Sequence, residues 1–247
     1  MNSTNLNTTT EQSNCRLYRV GGCPYFDFFN NDCLELMKTF PDNHFDLAVV
    51  DVPYGIGEDG SKNHTRSKMA VSKNYKGYSG NDKHAPGFEY WNELHRISKN
   101  QIVWGANHFI SKLPFDSSCW IVWDKENGEN DFADCELAWT SFNTAVRKFK
   151  WKWHGMLQQN MKNKQVRIHP NEKPIELYSW IIQNYAKPDF KILDTHLGSS
   201  SIAIAVHKAN VLDKMNLHLT GIEIDADYFQ AAMNRIKKHV SQGTLPF

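Results

Sequence analysis

Phe45-Asp46-Leu47-Ala48-Val49-Val50-Asp51-Val52-Pro53-Tyr54 is the stretch on which the fold turns. Residues 47–50 are wholly apolar, with β-branched valines and no glycine or proline. They read as a strand buried on both faces, the kind found in parallel sheets covered by helices on each side. The strand delivers Asp51, Val52, Pro53 and Tyr54 to the carboxyl edge of that sheet. Open α/β folds bind their ligands at that edge. An acid, a proline and an aromatic ring in this order suit one task, the gripping of a flat base that carries an exocyclic amino group.

The last third of the chain has the same character. Residues 172–186 read as a helix with Pro174 in its first turn, where a missing N–H costs nothing, and Pro188 ends it. A strand (190–194), a turn (195–199) and a helix (200–209) follow. A second strand (217–224) leads to a second helix (226–240) that Asp225 can cap. This order makes one nucleotide-binding half of a doubly wound sheet. The turn from Leu193 to Ser201 is built of small residues, so backbone N–H groups can approach a ligand at a helix N-terminus. Gly198 is its one glycine; it is no Gly-x-Gly-x-x-Gly cradle, which argues against a dinucleotide. Glu223 ends a buried strand beside this turn, where an acid can accept both hydroxyls of a ribose. Asp225 has two readings, a helix cap and a second ribose contact, and both stay open.

Upstream, residues 31–39 read as a short helix entered through Asp32, and residues 88–98 as a longer one. Residues 101–104 and 119–123 read as further buried strands, and 136–142 with 145–153 as a β-pair. In the second arm of that pair, Arg147, Phe149, Trp151 and Trp153 share one face, while Lys148, Lys150, Lys152 and His154 share the other. The lysine row needs solvent or a partner, and a nucleic-acid backbone would serve.

A length of 247 residues with 40% apolar content fits one large α/β domain over residues 17–247. Residues 1–16 read as a disordered, Ser/Thr/Asn-rich tail and not as a signal peptide. No apolar run approaches the ~20 residues that span a bilayer. Five cysteines without a Cys-x-x-Cys speak against a disulfide framework or a metal site, and for a reducing cytoplasm. The net charge of +1 says nothing about partners, but its distribution does. No acid occurs between Asn143 and Asn171, a span that holds Arg147, Lys148, Lys150, Lys152, Lys162, Lys164 and Arg167. Within the long segment 55–87, Lys62, Arg66, Lys68, Lys73, Lys76 and Lys83 face only Asp82 from Gly60 onward. A loop of that length is usually functional. The two basic runs are either solvated loops or an electrostatic footprint for phosphates.

Five segments in order resemble those of S-adenosylmethionine-dependent DNA amino-methyltransferases of the permuted class, in which the target-base motif precedes the cofactor motif. Asn31-Asp32-Cys33-Leu34-Glu35 resembles the family's Gly-Asp segment, and Asp51-Val52-Pro53-Tyr54 its Asp-Pro-Pro-Tyr. His169-Pro170-Asn171-Glu172-Lys173-Pro174 resembles His-Pro-x-x-Lys-Pro. Residues 193–201 resemble Leu-Asp-Pro-Phe-x-Gly-Ser-Gly, and Gly221 to Asp225 with Tyr228 the ribose-binding segment. Residues 123–139 are similar to phage and prophage members. The likeness covers about residues 17–240. It implies a Rossmann-like, doubly wound, mostly parallel α/β sheet with a permuted motif order. A small basic target-recognition elaboration is implied over about 143–168, and a catalytic and DNA-contacting loop over about 55–87.

The resemblance further implies S-adenosylmethionine as cofactor, double-stranded DNA as partner and the N6 amine of adenine as methyl acceptor, in a bacterial or phage-derived cytoplasmic protein of restriction-modification type. Asp51, Val52, Pro53 and Tyr54 would be catalytic. Asp32, His169, Lys173, Asp194, His196, Gly198, Ser200, Glu223 and Asp225 would hold the cofactor. Lys62, Arg66, Lys68, Lys73, Lys148, Lys150, Lys152, Lys162, Lys164 and Arg167 would contact DNA. Some residues depart from the pattern. Val52 replaces a proline but keeps the carbonyl that contacts the base, His196 replaces a phenylalanine, and Ser200 replaces a glycine. N4-cytosine methylation, RNA methylation and a catalytically dead DNA-binding module remain the alternatives, as do monomer and homodimer.

Overall fold

The computed structural model describes residues 17–18, 23–57, 84–128, 133–154, 157–165, 167–169 and 171–242. Its strands are β1 (Leu17–Tyr18), β2 (Phe26–Asn30), β3 (Leu47–Val50), β4 (Gln101–Trp104), β5 (Trp120–Asp124), β6 (Cys135–Thr140), β7 (Arg147–Lys150), β8 (Trp153–His154), β9 (Leu157–Gln158), β10 (Lys191–Asp194) and β11 (His218–Glu223). Its α-helices are α1 (Cys33–Met37), α2 (Phe88–Ile97), α3 (Ile175–Tyr185), α4 (Ser201–Leu212) and α5 (Ala226–Ser241). One large sheet has the order β1-β2-β11-β10-β3-β4-β6-β5-β7, and β8 with β9 forms a separate small hairpin. β2, β11, β10, β3 and β4 run parallel. β1 and β6 run against them, while β5 and β7 return to the common direction.

The alternation of side chains along the central strands decides the layers. Leu47, Val49 and Ile192 join one apolar cluster with Leu177 and Ile181 of α3, Ile202 and Val206 of α4, and Phe229 and Ile236 of α5. Ala48, Val50 and Leu193 join the other with Leu36 and Met37 of α1 and Trp91, Leu94 and Ile97 of α2. Every residue of β3 is buried, as a strand covered on both faces requires.

The chain leaves β10 through α4 toward β11 on one side, and leaves β3 through α2 toward β4 on the other. The crevice between β10 and β3 is therefore the point where the strand order reverses, the usual ligand site of such sheets. Parallel pairing of Ile192 with Leu47 and of Leu193 with Ala48 brings the two strand ends side by side.

Two expectations are corrected, and the lysine row finds partners. The β-pair over 136–142 and 145–153 does not form. β6 pairs with β4 and β5, and β7 pairs in parallel with β5, because β7 fills the edge that β5 leaves open. The helix expected from residue 172 begins at Ile175 with Pro174 as its N-cap, because Glu172 is drawn into a buried ion pair and Lys173 into the strand-edge cluster. The lysine row is not without partners, since Lys148 lies 3.7 Å from Asp124 and Lys150 2.9 Å from Glu126, both on or just after β5. Residues 1–16 and the basic run with Lys62, Arg66, Lys68, Lys73, Lys76 and Lys83 lie outside the described residues.

Candidate functional site

The crevice is lined by the ends of four strands. From β3 comes Asp51. Its Oδ1 accepts from the Tyr54 hydroxyl at 2.8 Å and its Oδ2 lies 2.5 Å from Lys173 Nζ. Lys173 Nζ also donates to the Tyr54 hydroxyl at 3.2 Å and lies 3.3 Å from Glu136 Oε2. Glu136 Oε1 contacts Lys125. The Tyr54 ring stacks on His108 at 5.1 Å between centroids, and Lys173 Nζ lies 5.8 Å from its centroid. A Cβ at Gly105 would come within 2.0 Å of that ring, and the residue has φ +68°, so only glycine leaves Tyr54 its place.

Charge in this cluster follows from geometry. Burial alone would push the Glu136 carboxyl up, but Lys173 and Lys125 outweigh it and hold it at about 2. Burial likewise opposes the charge on Lys173, and Asp51 with Glu136 more than restores it, so Lys173 is a permanent cation. Burial, with Asp51 beside it, keeps the Tyr54 phenol protonated.

From β10 comes Asp194, whose Oδ1 accepts the His196 N–H at 3.0 Å and so closes the turn. Burial raises its carboxyl to about 7, and the nearby charges of Asp51 and Glu223 act in the same direction. Thr195 hydrogen-bonds the Tyr90 hydroxyl of α2 at 2.6 Å and His196 Nδ1 at 2.8 Å. Burial holds His196 neutral, with a value lowered to about 4. Gly198 turns with φ +49°. Ser200 has φ +61°, a left-handed conformation that glycine adopts without strain and serine does not. Its hydroxyl donates to Ser199 O at 2.5 Å and lies 3.5 Å from Ala232 O of α5, so the side chain is directed at α5.

From β11 comes Glu223. One carboxylate oxygen accepts Gly198 N–H at 2.8 Å and the other Asp225 N–H at 3.0 Å, tying the two ligand loops together. Asp225 caps α5 by accepting from Asp227 N–H at 2.9 Å and Tyr228 N–H at 3.0 Å. From the end of β2, Asp32 caps α1 through the N–H groups of Leu34 and Glu35. His169 stands with its ring edge against Tyr228 at 4.5 Å and close to Gly198, and burial followed by Lys173 lowers it to about 4.

The candidate cofactor residues thus separate into two groups. Asp32, His169, Asp194, His196, Gly198, Ser200, Glu223 and Asp225 surround the β10 and β11 turns. Lys173 is drawn to the β3 side, against Asp51. The two groups still meet, since Asp194 and Asp51 sit on neighbouring strand ends. Of the candidate DNA contacts, Lys148 and Lys150 are ion-paired, Arg167 lies over the Trp153 ring at 4.6 Å, and Lys162 and Lys164 are exposed on the loop after β9. That loop is held by Gln158, whose carboxamide donates to Gln165 O at 2.9 Å and accepts Gln165 N–H at 2.8 Å. β7 runs with β3 and β4, so this loop emerges beyond the same carboxyl edge as Asp51.

Sequence reasoning assigned no role to Glu136, Arg235, Tyr90 or Gly105. Arg235 pairs with the buried Glu172 at 2.9 Å and donates to Ser199 O at 2.8 Å, clamping the β10 turn to the segment before α3. The one available signal was an acid inside the apolar run Cys135-Glu136-Leu137-Ala138-Trp139; the partners that explain it are far away in sequence.

Residues 120–234 match the family model described as DNA methylase. The chain is 23% identical to type II methyltransferase M2.MboI of Moraxella bovis, over 85% of this chain and 87% of that protein. It is 22% identical to type II methyltransferase M.HinfI of Haemophilus influenzae, over 86% of this chain and 69% of that protein. In fold it resembles the PvuII DNA methyltransferase (cytosine-N4-specific), with a TM-score of 0.52 at 11% identity, over 88% of this chain and 92% of that one.

Proposed function

We propose that this chain, which matches the DNA methylase family model over residues 120–234, moves a methyl group from S-adenosylmethionine to the N6 amine of adenine in a short site of double-stranded DNA. The observation that carries the reading is the junction of β3 and β10. An Asp-x-Pro-Tyr tip and a turn lined by buried carboxylates share one crevice at the reversal of strand order.

The crevice fits the cofactor's chemistry. Asp194 and Glu223 are buried acids raised by burial, so a cationic group beside them would be favoured. A ligand with a cationic sulfonium and ammonium and a ribose diol answers both needs. Asp32, Asp194, His196, Gly198, Ser200, Glu223, Asp225 and His169 would hold it. When bound it supplies an electrophilic methyl group.

An aromatic amine is a weak nucleophile because its lone pair is spread into the ring. Asp51 and the Val52 carbonyl each accept one amine hydrogen, which concentrates the lone pair on nitrogen. Gain comes from positioning and fixed charge, with no covalent intermediate on the protein. The target base leaves the duplex to reach Asp51, at a cost of a few kcal/mol. Tyr54 offers its ring as a stacking face, with Pro53 stiffening the tip. To free Asp51 Oδ1 for the amine, the Tyr54 hydroxyl gives up its 2.8 Å bond or shares the oxygen. Lys62, Arg66, Lys68 and Lys73 in the 55–87 loop, and Lys152, Lys162, Lys164 and Arg167 in the 143–168 elaboration, supply phosphate contacts. Lys148 and Lys150 contribute less because their charges are already matched. Asp51 in place of the serine commoner among cytosine enzymes favours adenine. Such a protein works where the DNA is, in the bacterial cytoplasm. Among the described residues no helix is long and apolar enough to cross a membrane.

The test is single-molecule sequencing of genomic DNA from a methylation-deficient bacterium expressing the chain, beside an Asp51→Ala control. Modified adenine in one short motif, absent from the control, is expected. Modified cytosine would overturn the base assignment, and no modification would overturn the enzymatic reading.

A further inference from the structure

We propose that Glu136 is a positioning residue for the methyl transfer, acting through Lys173 to set how much positive charge Asp51 meets. The inference rests on the function proposed above. Glu136 sits at the start of β6, and the Gly105 N–H donates to Leu137 O at 2.9 Å just beyond β4, so this end of β6 overhangs the carboxyl edge beside Tyr54. Its two oxygens engage different cations, Lys125 through Oε1 and Lys173 through Oε2 at 3.3 Å, and Lys173 passes the link to Asp51 at 2.5 Å. A half-buried carboxylate with one oxygen enclosed, in a mostly apolar strand, is a costly way to fill space, since hydrophobic replacements of buried ion pairs are commonly neutral or stabilising. Packing does not explain it.

Charge does. In the transfer, the bond from sulfur to the methyl carbon breaks, sulfur keeps the electron pair, and the amine lone pair forms the new bond. The positive charge moves from sulfur to nitrogen, and nitrogen then releases a proton to Asp51 and on to water. That charge arises within hydrogen-bonding reach of Asp51 and therefore beside the Lys173 ammonium. Alone, Lys173 would repel it and weaken Asp51 as an acceptor. Asp51, Glu136, Lys125 and Lys173 together sum to zero, so with Glu136 present the cluster opposes nothing. Without that carboxylate the cluster carries one uncompensated positive charge, where buried charges interact strongly.

The experiment measures single-turnover transfer of a labelled methyl group to unmethylated genomic DNA. It is run for the wild type, Glu136→Gln, Lys125→Met and the double variant, with the dissociation constants for S-adenosylmethionine and DNA and the thermal midpoint of each. Glu136→Gln keeps shape and removes only charge. Its rate constant is expected to fall about 10-fold or more, with both dissociation constants within about two-fold of wild type. Adding Lys125→Met restores neutrality and is expected to recover most of the loss, which no packing or hydrogen-bonding role for Glu136 would produce. An unchanged rate in Glu136→Gln, or a loss that the double variant does not recover, overturns the proposal. Should Glu136→Gln fail to fold, Lys125→Met decides. Its net negative cluster speeds transfer about two-fold or more, and a rate at or below wild type overturns the proposal. Wild type that methylates no DNA refutes the functional reading and this inference with it. An active wild type beside an unaffected Glu136→Gln refutes the inference alone.

Discussion

Replacing His196 by phenylalanine removes a half-buried imidazole that the folded protein holds neutral. Burial lowers its value to about 4, whereas an unfolded chain titrates near ~6.5. Between those values the unfolded chain binds a proton that the folded one refuses, so stability is full above ~6.5 and is lost as the pH falls toward 4. At pH 4.5 this single group costs about 2.5 kcal/mol, a large part of the 5–15 kcal/mol that holds a domain together. His169, lowered to about 4 by burial and by Lys173, adds a loss in the same window. Asp194 works the other way. Its carboxyl is raised to about 7, so its contribution is full at low pH and is lost as the pH rises toward 7.

Both of those groups are present in wild type and variant alike and cancel in the comparison. His196→Phe gives up the 2.8 Å bond to Thr195, which keeps its 2.6 Å partner on Tyr90, so the change at pH 7 should stay within about 1 kcal/mol. The assay is urea unfolding of both proteins at pH 7 and pH 4.5. The drop in unfolding free energy between the two pH values should be smaller in the variant by about 2.5 kcal/mol. A difference below about 1 kcal/mol would show that the imidazole is hydrated or charged in the folded state and would refute the reasoning.

Other outcomes follow from the same contacts. Lys173→Met strands Asp51 and Glu136 without their shared cation, and should cost about 3–5 kcal/mol of stability by urea unfolding at pH 7, easing on acidification. Gly105→Ala drives a methyl group into the Tyr54 ring at a left-handed φ. It should abolish methyl transfer while S-adenosylmethionine affinity, measured by calorimetry, changes little. Removing the exposed Lys162 and Lys164 together should lower the slope of log affinity for DNA against log salt by about 1–2, whereas removing the ion-paired Lys148 and Lys150 should change it less.

The sequence by itself determined what local chemistry can dictate. A β-branched apolar run can only be a strand buried on both sides, so β3 and the Asp51–Tyr54 tip were legible from the amino acids. The same holds for the strand, turn and helix around Asp194, for the end of β11 at Glu223, and for the caps Asp32 and Asp225, because a cap or a turn is satisfied within a few residues. Only the tertiary structure decided which strands pair. β6 and β7 each carry an apolar face that many neighbours could accept, and the choice of β5 for both rests on which edges the rest of the sheet leaves free. It also decided the electrostatics. Lys173 lies in a motif adjoining the cofactor turns, yet its charge goes to Asp51, and Glu136 is an unremarkable letter until Lys125, from the segment after β5, and Lys173, from the segment before α3, converge on it. Coulomb interactions act across space without regard to distance along the chain, so no local pattern could reveal which buried charges would meet.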